Sequence, residues 1–370
     1  MNPVEFSTLP CGAGQQLGIA TLNSEKSLNA LTLPMIRALD RQLIAWQHDA
    51  AVVGVVLRGA GDKAFCAGGD VRALRQALID RPGNAPHPDA ESFFSEEYTL
   101  DYRIHCYPKP LIVWGSGIVM GGGLGLLAGA SHRVLTATSR IAMPEITIGL
   151  YPDVGGSWFL SRMPARVGLF LALTGAPVNA ADALWLNLGD HILAAGAFDS
   201  MLDRLVSAPW PADPRDHKAY VSQLLGAMED HPALDSPVQR HFDTIRRLMN
   251  QGTLQDVRQS LECASFDDPW LAKAREGFLH GCPTSAALSW EIERRTAHQS
   301  LADVLRMELT LSVNVCARSE FVEGVRALLV DKDRQPRWSH SWSQLSHDWI
   351  DSHFDSPWPD NAHPLRQLGH

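Results

Sequence analysis

The sequence is short of the features that assign a protein at a glance. Its six cysteines (Cys11, Cys66, Cys106, Cys263, Cys282 and Cys316) are scattered through 370 residues with no CxxC pair. That excludes a zinc ribbon and a disulfide framework, suits a reducing compartment, and places the protein in the cytoplasm. The start, MNPVEFSTLPCGAG, has neither a basic stretch nor an apolar one behind it, so no signal peptide is expected. Fifteen histidines show no HxxxH or HExxH spacing; they read as scattered surface residues, and no metal is expected. There is no G-x-S-x-G nucleophile elbow, no repeat and no low-complexity tract. A net charge of −9 lacks the basic face that sequence-independent nucleic-acid binding needs. Helix N-termini and a few local cations still allow an anionic small ligand.

What is present is ordinary in bulk and specific in places. With 45% apolar and 20% charged residues, the chain predicts a sizeable core in one large domain or two. LGIATL (17–22) and VVGVVLRG (52–59) predict strands, the second buried. LTLPMIRALDRQLIAW (31–46) predicts a helix, with Thr32 as N-cap and Leu33, Ile36, Leu39, Leu43 and Trp46 on one face. Asp70 caps a helix over VRALRQAL. LIVWGSGIV (111–119) predicts a strand leading through glycines into a helix ending near Ala130, and RVLTAT (133–138) another strand. From about residue 160 the pattern is mostly helical; RPGNAPHPDA (81–90) reads as loop and PWPADPRDH (209–217) as a boundary.

The uncharged run LIVWGSGIVMGGGLGLLAGA (111–130) admits three readings. A membrane span has the length and the small-residue spacing of Gly117, Gly121, Gly125 and Gly129. Seven glycines in twenty residues, three of them consecutive, weigh against it, since each costs about 0.8–1 kcal/mol in a helix; no membrane association is expected. A dinucleotide loop has Gly123-x-Gly125-x-x-Ala128 and an acid, Glu145, further on, but Glu145 does not end the next strand. The third reading joins two places. GGD (68–70) and GGG (121–123) both lie where a strand meets a helix N-terminus, and there the unpaired N–H groups favour negative charge. Two N–H groups aimed at one oxygen form an oxyanion hole, in which losing one donor costs about 2.7–4 kcal/mol. Taken singly, each cluster also fits a plain tight turn.

A third motif, MPEITIGLYPDVGG (143–156), sets Glu145 and Asp153 eight residues apart. Solvated loop acids would explain the pair. Ile146, Ile148, Leu150 and Tyr151 around it argue for burial, and burial raises a carboxylate pKa toward a useful value for base or nucleophile work. Cys66 is a second nucleophile candidate, or a small core filler; Ser116 lacks an elbow context.

Together these motifs resemble the crotonase (enoyl-CoA hydratase/isomerase) superfamily, and within it the branch hydrolysing 3-hydroxyisobutyryl-CoA-like thioesters of valine catabolism. The resemblance runs over about 22–340 through LNSEKSLNALTLPMIRALD, AFCAGGDVR, FFSEEY, GIVMGGGLGL, AMPEITIGLYPDVGGSWFL, CPTSAAL and EFVEGVRALLVDKDRQPRW. It implies an α/β spiral of ββα turns over 1–208, a helical C-terminal region over 209–353 and a surface tail over 354–370. It also implies an acyl-CoA substrate whose carbonyl oxygen meets the N–H groups of Gly69 and Gly122, with Gly68 and Gly121 beside them. By the same resemblance Glu145 is the catalytic carboxylate, Asp153 its partner, and Glu97 of FFSEEY a substrate contact. Glu145 would attack the carbonyl or activate a water, and both routes stay open. No cofactor is implied beyond the coenzyme A of the substrate. Lys26, Lys63 and Arg72, with Lys332 as a further candidate, could meet the coenzyme's phosphates or adenine, and equally fit solvated charges. Hydratases of the superfamily carry a Glu where this chain has Gly125, so hydration loses an acid. Isomerases share a similar Glu/Asp pair and stay as the alternative, as does a non-catalytic acyl-CoA binder. Relatives often form trimers; a homo-oligomer stays open here because the C-terminal region could cover that surface.

Overall fold

The run VVGVVLRG forms a strand buried along nearly its whole length, as its β-branched composition predicts for a strand covered on both faces. In the computed structural model, which describes residues 2–230, 232–359 and 361–369, the strands are β1 (Val4–Pro10), β2 (Gln16–Leu22), β3 (Val52–Gly59), β4 (Ala64–Cys66), β5 (Leu111–Gly115), β6 (Ile118–Met120), β7 (His132–Leu135), β8 (Arg140–Ala142) and β9 (His191–Ile192). The chain groups into two compact units interleaved along the sequence. One comprises Met1–Gly69, Leu100–Ile141 and Val178–Ser236; the other comprises Asp70–Thr99, Ala142–Pro177 and Pro237–His370.

The first unit is built on a sheet in the order β1-β2-β3-β5-β7-β9, parallel except for the antiparallel edge strand β1. The first helix, Leu33–His48, starts where the sequence places it: Thr32 accepts from Met35 N, and Met35, Ile36, Leu39, Leu43 and Trp46 are buried. Residues of the sheet and of the helices Phe198–Ser207 and His217–Gly226 share one core, centred on Trp114, Met201, Leu205, Val221 and Leu225. A short second sheet runs β4-β6-β8. Three times, then, a strand of the long sheet is followed by a strand of the short one: β3 then β4, β5 then β6, β7 then β8. A helix or helical turn comes next in each case: Val71–Asp80, Gly122–Ala128, Glu145–Ile148. This is the ββα repetition that the resemblance implies.

Three local expectations are corrected. LIVWGSGIV is not one strand: Gly117, at φ +69°, turns the chain out of β5 into β6 of the other sheet. A Cβ at Gly117 would lie 2.4 Å from Lys63 O, so the turn tolerates no side chain. The strand expected over 133–138 covers only His132–Leu135. The loop expected over 81–90 gives way at Pro88, where a helix begins that runs to His105 and carries FFSEEY. Strand β1 has too little alternation to be read from sequence; it is held by full antiparallel register with β2.

The second unit is mostly helical. Among its helices Leu301–Cys316 is buried along most of its length, including the polar residues Glu308, Thr310, Ser312 and Asn314. Asn314 Nδ2 donates to the carbonyls of His353 and Asp355, and Arg306 Nη1 to those of Leu365 and Leu368, so the C-terminal segment is tied to this helix by its backbone. No helix among the described residues is long and apolar enough to cross a membrane.

Candidate active site

Two clusters of the expected residues form, one in each unit. In the first, the GGD and GGG turns lie side by side. Leu31 N donates to Gly68 O at 2.8 Å, and Leu31 pairs with Gly69 in a parallel bridge. Gly68 sits at φ +108°, and a Cβ there would come 3.3 Å from Met120 O and 3.8 Å from Gly122 N. Gly121, at φ +49°, caps the helix Gly122–Ala128 and its carbonyl accepts from Leu124 N and Gly125 N. Among the described residues no hydrogen bond uses the N–H of Gly69 or of Gly122. Cys66 is fully buried beneath the turn, its thiol directed at Gly68 O (3.7 Å), which is the packing of a small core filler.

In the second unit the acids gather. Glu145 opens the helical turn Glu145–Ile148, which is fixed from behind: Cys282 N donates to Ile146 O at 2.9 Å. A Cβ at Gly149 would fall 2.4 Å from Glu320 O, so that end of the turn also has a close backbone neighbour. Glu97, Glu145 and Asp153 are 2%, 5% and 4% exposed, which rules out solvated loop acids. Ile146, Leu150 and Tyr151 are buried as expected, and Ile148 is half-buried. Among the described residues, Glu97 Oε1 and Glu145 Oε2 are buried without a hydrogen-bond partner. Burial, then the charge of Asp153, pushes the Glu97 carboxyl well above its ordinary range. For Glu145 burial acts first, Asp153 second and Glu97 last among the raising effects, and the result is also well above the ordinary range. Asp153 is raised to about 6 by burial, against a bond from the Tyr98 hydroxyl that holds it down. Burial and the charge of Asp153 thus disfavour ionisation of Glu97 and Glu145, while Asp153 keeps a hydrogen-bond donor in Tyr98.

The remaining candidates do not join a cluster. Lys26 lies on the turn Glu25–Ser27 and Lys63 just before β4, both exposed; their loops are neighbours, since Asn29 Nδ2 donates to Ala60 O and Ala64 O. Arg72, on the helix Val71–Asp80, and Lys332 are exposed in the second unit.

Three residues around the acids, Tyr98, Ser312 and Glu308, were not singled out from sequence, and Tyr151 was read there only as a sign of burial. Tyr98 donates to Asp153 Oδ2 at 2.7 Å and is 2.8 Å from Ser312 Oγ. Tyr151 lies 2.8 Å from Ser312 Oγ and donates to Glu308 O at 2.6 Å. The Glu308 carboxylate accepts from Gly155 N (2.8 Å) and Ser157 N (3.1 Å), so it caps the helix Gly156–Leu160. Burial raises Glu308 to about 8 although those bonds pull it down. The available signal was the row of polar residues in MELTLSVNV, a stretch otherwise apolar enough to be buried.

This fold, with buried acids and bare glycine turns, is that of the crotonase class. The family described as enoyl-CoA hydratase/isomerase matches residues 17–354, and the chain belongs to it. The mitochondrial 3-hydroxyisobutyryl-CoA hydrolase of Danio rerio is 37% identical over 344 residues, which cover 92% of this chain and 87% of the relative. Among solved structures, a carnitinyl-CoA dehydratase from Mycobacterium thermoresistibile superposes with a TM-score of 0.84 at 33% identity, over 99% of both chains. An enoyl-CoA hydratase from Rhodobacter sphaeroides 2.4.1 gives 0.81 at 31% identity, covering 95% of this chain and 97% of its own. The mitochondrial designation of the Danio rerio relative overturns the cytoplasmic placement. Unpaired thiols separate reducing from oxidising compartments; they do not tell one reducing compartment from another.

Proposed function

We propose that the chain hydrolyses the thioester of a short 3-hydroxyacyl-CoA, of the 3-hydroxyisobutyryl type, to the free acid and coenzyme A. The observation that carries this reading is the buried, unpartnered oxygen of Glu145 beside two further acids, in a chain 37% identical to a hydrolase of that substrate. In this reading the N–H groups of Gly69 and Gly122 stabilise the oxyanion as the carbonyl carbon becomes tetrahedral; their freedom from other acceptors supports it. Glu145, once ionised, either attacks the carbonyl carbon or takes a proton from a water that attacks it directly. In the first route the C–S bond breaks, and water then cleaves the resulting anhydride to the free acid and the restored carboxylate. In both routes water supplies the oxygen of the acid and the proton that leaves on the thiol. Asp153 and Glu97 hold the substrate's 3-hydroxyl or the water. A substrate lacking that hydroxyl leaves buried acids unpaired, which gives strong discrimination. Lys26, Lys63 and Arg72 contribute charge toward the coenzyme. The reading uses no separate cofactor.

A second reading is hydration or dehydration, the activities by which the two structural neighbours are named. Glu97 acting on Glu145 supplies the two acids that such chemistry needs, although the position after the glycine triplet is Gly125. Free-thiol release from a panel of coenzyme A esters separates the two. Thiol from 3-hydroxyisobutyryl- or 3-hydroxypropionyl-CoA supports hydrolysis. No thiol from either, with loss of enoyl absorbance from an unsaturated ester, establishes hydration instead.

A further inference from the structure

The hydroxyl groups behind Asp153 form a relay whose hydrogen count is informative. Four short contacts link five groups: Asp153 Oδ2 to Tyr98 Oη (2.7 Å), Tyr98 to Ser312 Oγ (2.8 Å), Ser312 to Tyr151 Oη (2.8 Å), and Tyr151 to Glu308 O (2.6 Å). Tyr98, Tyr151 and Ser312 are each fully buried, so bulk solvent does not reach the set. The far end, a backbone carbonyl, only accepts. With Asp153 ionised, the three hydroxyls hold three hydrogens for four contacts. Tyr98 donates to the carboxylate, Ser312 to Tyr98, and Tyr151 serves either Ser312 or Glu308 O, never both. With Asp153 protonated there are four hydrogens. The acid donates to Tyr98, Tyr98 to Ser312, Ser312 to Tyr151 and Tyr151 to Glu308 O, and every contact is served. The change needs only rotation of hydroxyls; apart from the proton that Asp153 gains or loses, no bond to hydrogen breaks and no heavy atom moves.

We propose that Tyr98 and Ser312 are positioning residues that hold Asp153 in one place in both its protonation states, by reversing the direction of this relay. The proposal rests on the hydrolase reading only in assigning Asp153 a part in turnover; the hydrogen count does not depend on it. Other ionisable groups act on the same space. The helix Pro88–His105 brings Glu97 besides Tyr98, the turn at 145–148 brings Glu145, the segment before Asp153 brings Tyr151, and the helix Leu301–Cys316 brings Glu308 and the Cys316 thiol. Titration of Asp153 is therefore shared with that cluster, and the direction of a shift is the readout.

The relay makes two variants move in opposite directions. Tyr98→Phe removes the only hydroxyl among the described residues that donates to the anion, so the Asp153 titration rises by about one pH unit. Ser312→Ala leaves the anion fully served, with Tyr98 donating to Asp153 and Tyr151 to Glu308 O. It strands the Tyr98 hydrogen when Asp153 is protonated, so the titration falls by about half a unit. Carbonyl-13C labelling of aspartate follows the Asp153 carboxyl by NMR across pH in the full chain, with Asp153→Asn assigning the signal. The pH profile of kcat/KM for thiol release is recorded in parallel. Opposite shifts establish the relay; shifts of the same sign, or none, overturn it and leave packing alone. If Tyr98→Phe does not fold, Ser312→Ala and Tyr151→Phe decide, since the relay requires both to shift downward. If the wild type releases no thiol, the hydrolase reading fails while the NMR titration still decides the relay.

Discussion

In the proposed reaction the glycine turns and the acid cluster answer the same problem, stabilising charge in a dry place, by opposite means. The turns use backbone: Gly68, Gly69, Gly121 and Gly122 stand where strands of the short sheet give way to helices, and backbone N–H groups do not titrate. The acids use side chains: Glu97, Glu145 and Asp153 are buried carboxyls whose pKa values lie above their ordinary range and depend on one another. A backbone site is fixed by geometry and keeps its strength at all pH. A side-chain site is adjustable, and it needs a second layer such as Tyr98, Ser312 and Glu308 to set it. The two regions should therefore fail differently.

The largest effect is expected at Glu145. Glu145→Gln keeps shape and removes the base or nucleophile, so kcat for thiol release falls by about 10³-fold while binding of the coenzyme A ester, followed by calorimetry, is kept. Full activity in this variant would remove Glu145 from the reaction. Next is Gly68→Ala, which forces a side chain into φ +108° and against Met120 O. Here kcat/KM drops by about 10²-fold, equally at every pH, because a geometric defect has no titration. A change in the shape of its pH profile would break the contrast drawn above. Glu308→Ala exposes the N–H groups of Gly155 and Ser157 to no partner, and urea denaturation should show about 1–3 kcal/mol lost. The smallest effects belong to the exposed cations. Lys26→Ala, Lys63→Ala and Arg72→Ala should each raise KM by about 2–5-fold with kcat unchanged, and added salt should erase the difference.

What was legible in the sequence was whatever the chain builds from neighbours. The N-caps Thr32 and Asp70, the buried strand at 52–59 and the two glycine turns each depend on a few adjacent residues, and each forms. Glu145 and Asp153 were visible for the same reason, being eight positions apart in a Gly- and Pro-marked segment. Glu308 was not: it caps Gly155 across 153 residues, and nothing local to MELTLSVNV says which buried amide its carboxylate meets. Ser312 reaches Tyr98 across 214 residues and was hidden in the same way. The break at Gly117 was missed because an apolar run on both sides of a glycine reads alike whether the chain continues or changes sheet.

The helix Leu301–Cys316 has a consequence for the order in which the protein is made. Its Glu308 and Ser312 complete the surroundings of acids that were laid down early, at 97, 145 and 153. Asn314 of the same helix donates in turn to carbonyls at 353 and 355, and Arg306, which also pairs with Asp303, donates to those at 365 and 368. During synthesis from the N-terminus the strands and glycine turns can therefore fold well before the acids have their supports. A ribosome-bound chain lacking only its final seventy residues would carry both glycine turns and the acids at 97, 145 and 153, and none of the hydroxyl wiring behind Asp153 that runs through Ser312.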